Sequence, residues 1–133
     1  MTILINDYYL TEDQQDHILN FINNAKNGMK NDKMIILLGS GKNGKTSLMN
    51  EIKRELDSYC DNFKLRNLIN NPTRKMIILD NDNLFRMRVS EQEILYYLIC
   101  DRKENIIASA NSLKSIPDYI LDHSLVINMK HTF

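Results

Sequence analysis

The stretch of residues 34–47 constrains the fold of this chain more than any other. Five apolar residues come first, and a loop follows in which Gly39, Gly44, Lys45 and Thr46 fill the spacing GxxxxGK[ST]. A short, fully apolar run is typical of a buried strand, and the apolar residues beyond the loop recur with helical spacing. The stretch therefore predicts a strand, a glycine-rich loop and an amphipathic helix, with four residues on the inner helix face: Leu48, Met49, Ile52 and Leu56.

The chemistry of phosphate binding explains this spacing. Glycine has no Cβ and accepts positive φ, so the backbone can approach a phosphate closely. The loop N–H groups then form an anion nest, to which the following helix adds its unpaired N-terminal donors. Lys45 is expected to meet the β- and γ-phosphates, and the Thr46 hydroxyl to bind Mg²⁺. We predict that a nucleoside triphosphate is bound by nine residues: Gly39, Ser40, Gly41, Lys42, Asn43, Gly44, Lys45, Thr46 and Ser47. The alternative is a glycine-rich turn with an incidental lysine.

A second apolar run, residues 76–79, ends in acids. Asp80 and Asp82 follow it directly, and continuous apolar runs suit parallel strands that are covered on both faces. Ligands of open parallel sheets lie beyond the carboxyl ends of the strands, so both carboxylates are expected beside the phosphate loop. One carboxylate would hold Mg²⁺, assigned to Asp80, and the other would polarise the attacking water. The alternative is a strand that ends in an Asx-rich turn.

The rest of the chain alternates helices and strands. A capping box at residues 11–14 predicts a helix to about Lys26, and Ser90 is expected to cap a helix that ends near Asp101. Further strands are expected at residues 106–110 and 125–129, and the second of these follows a short helix. A weak strand pattern surrounds residues 63–65. This alternation predicts an α/β fold with a parallel sheet.

Composition excludes several classes of protein. Lysine plus arginine equal aspartate plus glutamate at 17 each, so net charge favours neither nucleic acid nor a membrane surface. No apolar run approaches the roughly 20 residues that span a bilayer. Cys60 and Cys100 are expected to be reduced thiols. The first ten residues show no secretory signal pattern, so we expect a cytoplasmic protein with no membrane partner.

The motifs together resemble those of viral superfamily 3 helicases, especially the poxvirus-type primase-helicases, which are AAA+-like P-loop NTPases. Asn43 before Gly-Lys-Thr resembles their Walker A, residues 77–82 their Walker B, and residues 106–111 their motif C. The resemblance implies a three-layer sandwich with a mostly parallel sheet of four to five strands. In the strand order of that family, the Walker A strand lies between the last strand and the motif C strand, and the Walker B strand lies on the far side of the motif C strand. It also implies ATP and Mg²⁺ as ligands, with four catalytic residues: Lys45, Asp80, Asp82 and Asn111.

By this resemblance residues 1–133 form one P-loop domain, with a helical lead-in over 1–32 and an ATPase core over 33–133. The implied function is an ATPase core in viral DNA replication or unwinding, in an infected host cell. Its implied partners are single-stranded DNA, replication proteins and further copies of the chain in a ring.

One departure from the family leaves a second function open. The family carries an arginine pair before the last strand, where this chain has Asp122-His123-Ser124. Arg86, Arg88 and Arg102 are candidate replacements, though none aligns. A weakly catalytic or non-catalytic nucleotide-binding module that regulates or scaffolds a replication complex is therefore the alternative. A nucleotide kinase is disfavoured, because the chain lacks an arginine-rich lid. If the chain is an enzyme, we expect slow hydrolysis in isolation, since an arginine finger contributes about 10³–10⁵ in turnover.

Overall fold

A computed structural model describes residues 10–39, 45–56, 76–79, 88–110, 112–114 and 116–129. Within them helices and strands alternate along the chain, as the sequence predicts. In chain order the elements are α1 (Glu12–Lys26), β1 (Met34–Leu38), α2 (Lys45–Leu56), β2 (Ile77–Leu79), α3 (Val89–Cys100), β3 (Ile106–Ala110), α4 (Asp118–Leu121) and β4 (Ser124–Asn128).

The four strands form one parallel sheet in the order β2-β3-β1-β4. Ile36 of β1 is paired with Ala108 on one side and with Val126 on the other. Ile78 of β2 is paired with Ile107. The predicted strand order is confirmed, because β1, which precedes the predicted Walker A loop, lies between the last strand and β3, the predicted motif C strand. The strand bounds differ from the prediction by one residue at the start of β2 and at both ends of β4.

Helices cover both faces of the sheet, which makes three layers. Because alternate side chains of a strand point to opposite faces, the odd-numbered residues of β1 and β3 lie on one face of the sheet and the even-numbered residues lie on the other. The first of these faces packs against α1 and α2 through buried residues: Ile18, Phe21, Ile22, Ala25, Ile35, Leu37, Leu48, Met49, Ile52, Ile78 and Ile107. The other face packs against α3 and α4 through a second set: Met34, Ile36, Ile77, Leu79, Leu95, Leu98, Ile99, Ile106, Ala108, Ala110 and Ile120. Burial on both faces explains why the strands are apolar without alternation.

Local sequence accounts for both ends of α1. Thr11 Oγ1 accepts a hydrogen bond from Gln14 N at 3.2 Å, and Gln14 Oε1 accepts one from Thr11 N at 3.0 Å. This reciprocal pair is the predicted capping box. Gly28 follows the helix with φ of 76°, a left-handed conformation that glycine adopts without a steric penalty.

The start of α3 differs from the prediction. The helix begins at Val89, and its N-terminal cap is Arg88, whose backbone N donates to Glu91 Oε1 at 2.9 Å. Ser90, expected as the cap, lies in the first turn instead. Glu91 lies three residues after Arg88, and Glu93 lies three residues after Ser90. The local pattern alone therefore does not decide whether Arg88 or Ser90 is the cap. The extended backbone of Arg88 (φ −75°, ψ 163°) is what makes that residue the cap.

Asn105 joins the segment before β1 to the start of β3. This side chain is only 5% exposed, and its Oδ1 accepts hydrogen bonds from Asn31 N at 2.8 Å and Asn31 Nδ2 at 2.9 Å. Its Nδ2 donates to Met29 O at 2.9 Å, and its backbone O accepts from Ile77 N at 2.8 Å. Asn105 therefore ties the segment before β1 to β3 through its side chain, and ties β2 to β3 through its backbone, at the amino edge of the sheet.

Glu104 provides a charged contact at the same edge. Its carboxylate accepts a hydrogen bond from Arg102 Nη2 at 2.6 Å and one from Lys30 Nζ at 3.3 Å. The Glu104 side chain is 3% exposed and Arg102 is 16% exposed, whereas Lys30 is 47% exposed. A buried carboxylate requires such pairing, because removing an unpaired charge from water is costly.

The sequence pattern predicts that the helix after the loop extends to about Tyr59, and this end lies outside the described residues, as does the predicted strand around residues 63–65. Among the helices that the structure describes, none is long and apolar enough to cross a membrane.

Candidate functional site

The carboxyl edge of the sheet brings together the ends of the strands that precede the predicted site residues. Gly39 N donates a hydrogen bond to Ala110 O at 3.1 Å, and Met129 N donates to Leu38 O at 2.8 Å. The first glycine of the Walker A motif is thus still part of the sheet ladder. Because the Gly39 N–H is already bonded, any phosphate would have to be met by donors further along the motif.

Helix α2 begins at Lys45, immediately after the motif glycines, and extends for 12 residues. Its first turn contains no acidic residue, so no carboxylate opposes an anion at the positive end of the helix dipole. Leu48, Met49 and Ile52 are at most 1% exposed and anchor the helix in the core. The described residues at this edge fit a phosphate group: a strand that leads into Gly39, and a core-anchored helix that begins at Lys45 without N-terminal acids.

The structure describes only part of the predicted nucleotide site. Gly39 lies in the sheet ladder, and the backbone of Lys45, Thr46 and Ser47 forms the first turn of α2. The remaining predicted site residues lie outside the described residues: Ser40, Gly41, Lys42, Asn43, Gly44, Asp80, Asp82 and Asn111. Their roles stay predictions.

The structure nonetheless describes the residues that come directly before the predicted acids and the predicted amide in the chain. Leu79, which precedes Asp80, ends β2 in register with Ala108. Ala110, which precedes Asn111, is the residue that accepts the hydrogen bond from Gly39. In parallel strands the carboxyl ends share one edge, so the chain reaches all three predicted motifs from the same edge of the sheet. The donor set of hydroxyl and carboxylate oxygens suits Mg²⁺, which prefers hard oxygen ligands.

The place of the expected arginine pair lies at the opposite edge. His123 O accepts a hydrogen bond from Met34 N, the first residue of β1, at 3.1 Å. Ser124 Oγ donates to Ile120 O at 2.7 Å. Arg102 is also at this edge, in its ion pair with Glu104. A five-residue strand separates the two edges by roughly 16 Å, so His123 and Arg102 lie far from Gly39, at which the predicted phosphate-binding segment begins.

Sequence reasoning missed two features near these elements. Ser109 is a polar side chain inside β3, 2% exposed, next to Leu37 in register; a serine within an apolar run is the signal that could have identified it. Tyr96, Tyr119 and His123 form an aromatic cluster on the outer surface of α3 and α4. Their spacing in sequence carries no signal for this cluster.

The fold is that of P-loop AAA+ domains. Three solved structures that share it are each 13% identical to this chain. The DnaC helicase loader aligns with a TM-score of 0.55 over 95% of this chain and 96% of its own. A DNA replication initiation factor aligns with a TM-score of 0.61 over 93% of this chain and 48% of its own. C. elegans PCH-2 aligns with a TM-score of 0.55 over 90% of this chain and 41% of its own.

This chain therefore spans less than half the length of two of these structures and nearly the full length of the third. No protein-family model matches the sequence, and no curated protein matches it. At 13% identity the likeness is one of fold.

Proposed function

We propose that the chain binds Mg²⁺-ATP in the loop between β1 and α2. The observation that carries the proposal is the position of the Walker A sequence, which lies between the carboxyl end of a central parallel strand and the start of a core-anchored helix. Lys45 would place its charge on the β- and γ-phosphates, and loop N–H groups beyond Gly39 would meet phosphate oxygens. Thr46 and Asp80 would hold Mg²⁺, which supplies charge neutralisation at the phosphates.

We further propose that the bound nucleotide is hydrolysed slowly. Asp82 would polarise the attacking water, and Asn111 would orient it, since an amide both donates and accepts hydrogen bonds. The chain would then lack one contribution, a cation for the charge that develops on the γ-phosphoryl group. His123, in the place of the expected arginine pair, lies far from Gly39, so that cation would have to come from elsewhere.

The biological setting that we propose is DNA replication, inside a cell and, by the helicase resemblance, an infected one. The support is the viral helicase pattern of the motifs together with the shared fold of a helicase loader and a replication initiation factor. In this setting the chain would act on single-stranded DNA or on replication proteins, as one subunit of a ring or beside partners.

The second candidate is a nucleotide-binding module without significant turnover, which regulates or scaffolds a replication complex. The side chains in place of the arginine pair favour it. Ser124 is buried and bonded to Ile120 O, and His123 packs edge-on against Tyr96 at 5.6 Å between ring centroids. Neither residue presents a permanent positive charge to a neighbouring subunit.

One experiment separates these possibilities. Calorimetry with Mg²⁺-ATP would measure binding, and release of phosphate with and without single-stranded DNA would measure turnover, alongside the oligomeric mass. Binding that is lost in Lys45→Ala supports the proposed site, and turnover decides between the enzyme and the module. Equal ATP affinity of the wild type and Lys45→Ala would show that the proposed site is wrong.

Lys42→Ala is the matched control for this experiment. Lys42 belongs to the same loop, but its position in the pattern GxxxxGK[ST] accepts any residue. We expect Lys42→Ala to bind ATP much more tightly than Lys45→Ala. Similar losses in both variants would mean that only the overall positive charge of the loop attracts the nucleotide.

A further inference from the structure

The outer surface of α3 and α4 carries an aromatic cluster that neither the core nor the proposed nucleotide site uses. Tyr96 and Tyr119 meet edge-on with ring centroids 5.1 Å apart, and His123 meets Tyr96 edge-on at 5.6 Å. Tyr119 Oη donates to Gln92 Oε1 at 3.4 Å. We call Tyr96, Tyr119 and His123 the tyrosine cluster.

The tyrosine cluster is exposed although its rings are large. Tyr96 is 38% exposed and Tyr119 is 39% exposed, so each ring leaves part of its apolar surface in water instead of burying it in the core. In an edge-to-face pair one ring turns its edge to the other, and its own two faces stay free of that partner. Tyr96 and Tyr119 therefore keep part of their ring surface accessible to a ligand.

Four carboxylates lie on or directly after the two helices that carry the cluster. Asp101 and Asp122 follow directly after α3 and α4, and Asp118 and Glu93 lie exposed on the same two helices. Among the described residues, none of these four carboxylates forms an ion pair. Arg102 and Lys103 follow Asp101 in the chain, but Arg102 is paired with Glu104, so the four acids, which we call the acidic rim, outnumber the exposed base beside them.

Asp101 lies where the helix itself disfavours a negative charge. It is the C-terminal cap of α3, a 12-residue helix with no basic residue in its last turn. The C-terminal end of a helix dipole is negative, so an acid there is unfavourable and a cation is favourable. Helix stability therefore does not account for Asp101, and a positive charge beside it, from Lys103 or from a ligand, would relieve the repulsion.

The electrostatics of Tyr96 agree with this negative potential. The pKa of the Tyr96 phenol is raised above its ordinary value, first by a side-chain hydrogen bond with Cys100. The carboxylates of Asp101 and Asp122 raise this pKa further, because they disfavour a second negative charge on the ring. Asp101 and Asp122 therefore contribute negative potential at the Tyr96 phenol.

We propose that the tyrosine cluster and its acidic rim bind an arginine-bearing segment of a partner protein. A guanidinium group stacks on aromatic faces and pairs with carboxylates at the same time, because it is planar, cationic and a multiple donor. The same rim repels the phosphates of nucleic acid, whose binding depends on basic residues. Exposed tyrosines beside unpaired acids therefore fit a basic peptide and not a base-stacking surface.

The test is a titration of the full chain with synthetic peptides, followed by nuclear magnetic resonance of the tyrosine and histidine rings. The probe is a flexible glycine-serine peptide that carries three arginines. Its control is the same peptide with citrulline, which keeps the planar shape without the charge. We expect saturable shifts of the Tyr96, Tyr119 and His123 rings with the arginine peptide, weakened by added salt, and no saturable shifts with the citrulline peptide.

Matched variants locate the interaction. Tyr96→Leu should weaken arginine-peptide binding by about two- to fivefold, as expected for loss of an exposed cation–π contact. Tyr97→Leu is the control, because Tyr97 is 40% exposed on the same helix but about 100° further around it. Asp101→Asn should weaken binding by up to about fivefold, while the exposed, remote Asp16→Asn should leave it unchanged.

Several outcomes would overturn the proposal. Equal binding of the citrulline peptide would show that charge plays no part, and equal losses in the Tyr96 and Tyr97 variants would show that the cluster plays none. Saturable shifts of the same rings with a thymidine oligonucleotide would identify a base-stacking surface instead. Absence of peptide binding, together with self-association that Tyr96→Leu abolishes, would identify an interface between copies of this chain.

Discussion

Replacement of Asn105 by alanine should destabilise the fold more than any surface change of similar size. The side chain makes three hydrogen bonds of 2.8–2.9 Å, two to Asn31 and one to Met29 O. Each is expected to contribute about 0.5–1.5 kcal/mol net, and more where the partner left behind stays buried. We therefore expect Asn105→Ala to lower the free energy of unfolding by about 2–4 kcal/mol.

The assay is equilibrium unfolding in urea, followed by far-ultraviolet circular dichroism. For a small domain the slope is about 1–3 kcal/mol per molar urea, so the midpoint should fall by roughly 1–2 M. Asn23→Ala is the matched control, because Asn23 is exposed within α1 and alanine favours the helix. Its free energy of unfolding should change by no more than about 0.5 kcal/mol.

A double-mutant cycle tests the physical reason. Asn31→Ala removes the Nδ2 donor to Asn105 but keeps the backbone donor, so the two variants should be coupled by about 0.5–1.5 kcal/mol. Two results would refute the reasoning. One is a midpoint shift for Asn105→Ala no larger than that of Asn23→Ala; the other is strict additivity of the Asn105 and Asn31 variants.

Three further predictions concern the proposed nucleotide site. Lys45→Ala should weaken Mg²⁺-ATP binding about 10- to 100-fold in calorimetry, as for loss of a charged hydrogen bond, with an unchanged unfolding midpoint. Leu48→Ala, at a fully buried position of α2, should lower the free energy of unfolding by about 2–5 kcal/mol, measured in urea; a loss below about 1 kcal/mol would contradict the core anchoring. Phosphate release by the isolated chain should stay below about 1 s⁻¹, and faster turnover without DNA or partner would mean that a residue of the same chain supplies the missing cation.

Features that depend on short stretches were predictable from the sequence. The capping box of Thr11 and Gln14 forms as expected, because both hydrogen bonds close within one helical turn. The four apolar runs are strands, since each is too short for a typical helix and is bounded by polar residues. Their order required more than pattern, namely the resemblance to a family whose sheet order is known, and that order is confirmed.

Prediction was weaker wherever two local patterns compete. The helical spacing of α1 predicts Ile18, Leu19, Ile22 and Ala25 on its inner face. Leu19 is only partly buried, however, and Phe21, which that face did not include, is buried at 5% exposure. The cap of α3 is Arg88 instead of Ser90. The backbone is extended at Arg88, so Glu91 and not Glu93 is the carboxylate that bonds to the cap. For the site, the sequence placed the loop between a strand and a helix, and both are present.

The sequence by itself therefore determined the helices, the strands and the phosphate-loop pattern, because propensity, capping and glycine spacing act within a few residues. Only the tertiary structure decided which distant residues meet. The Asn105 amide meets residues 29–31, and Tyr96 meets Tyr119, across separations that carry no periodic signal. The physical reason is that hydrogen bonds and ring contacts of this kind depend on how the layers pack, and packing is a property of the whole sheet with its helices.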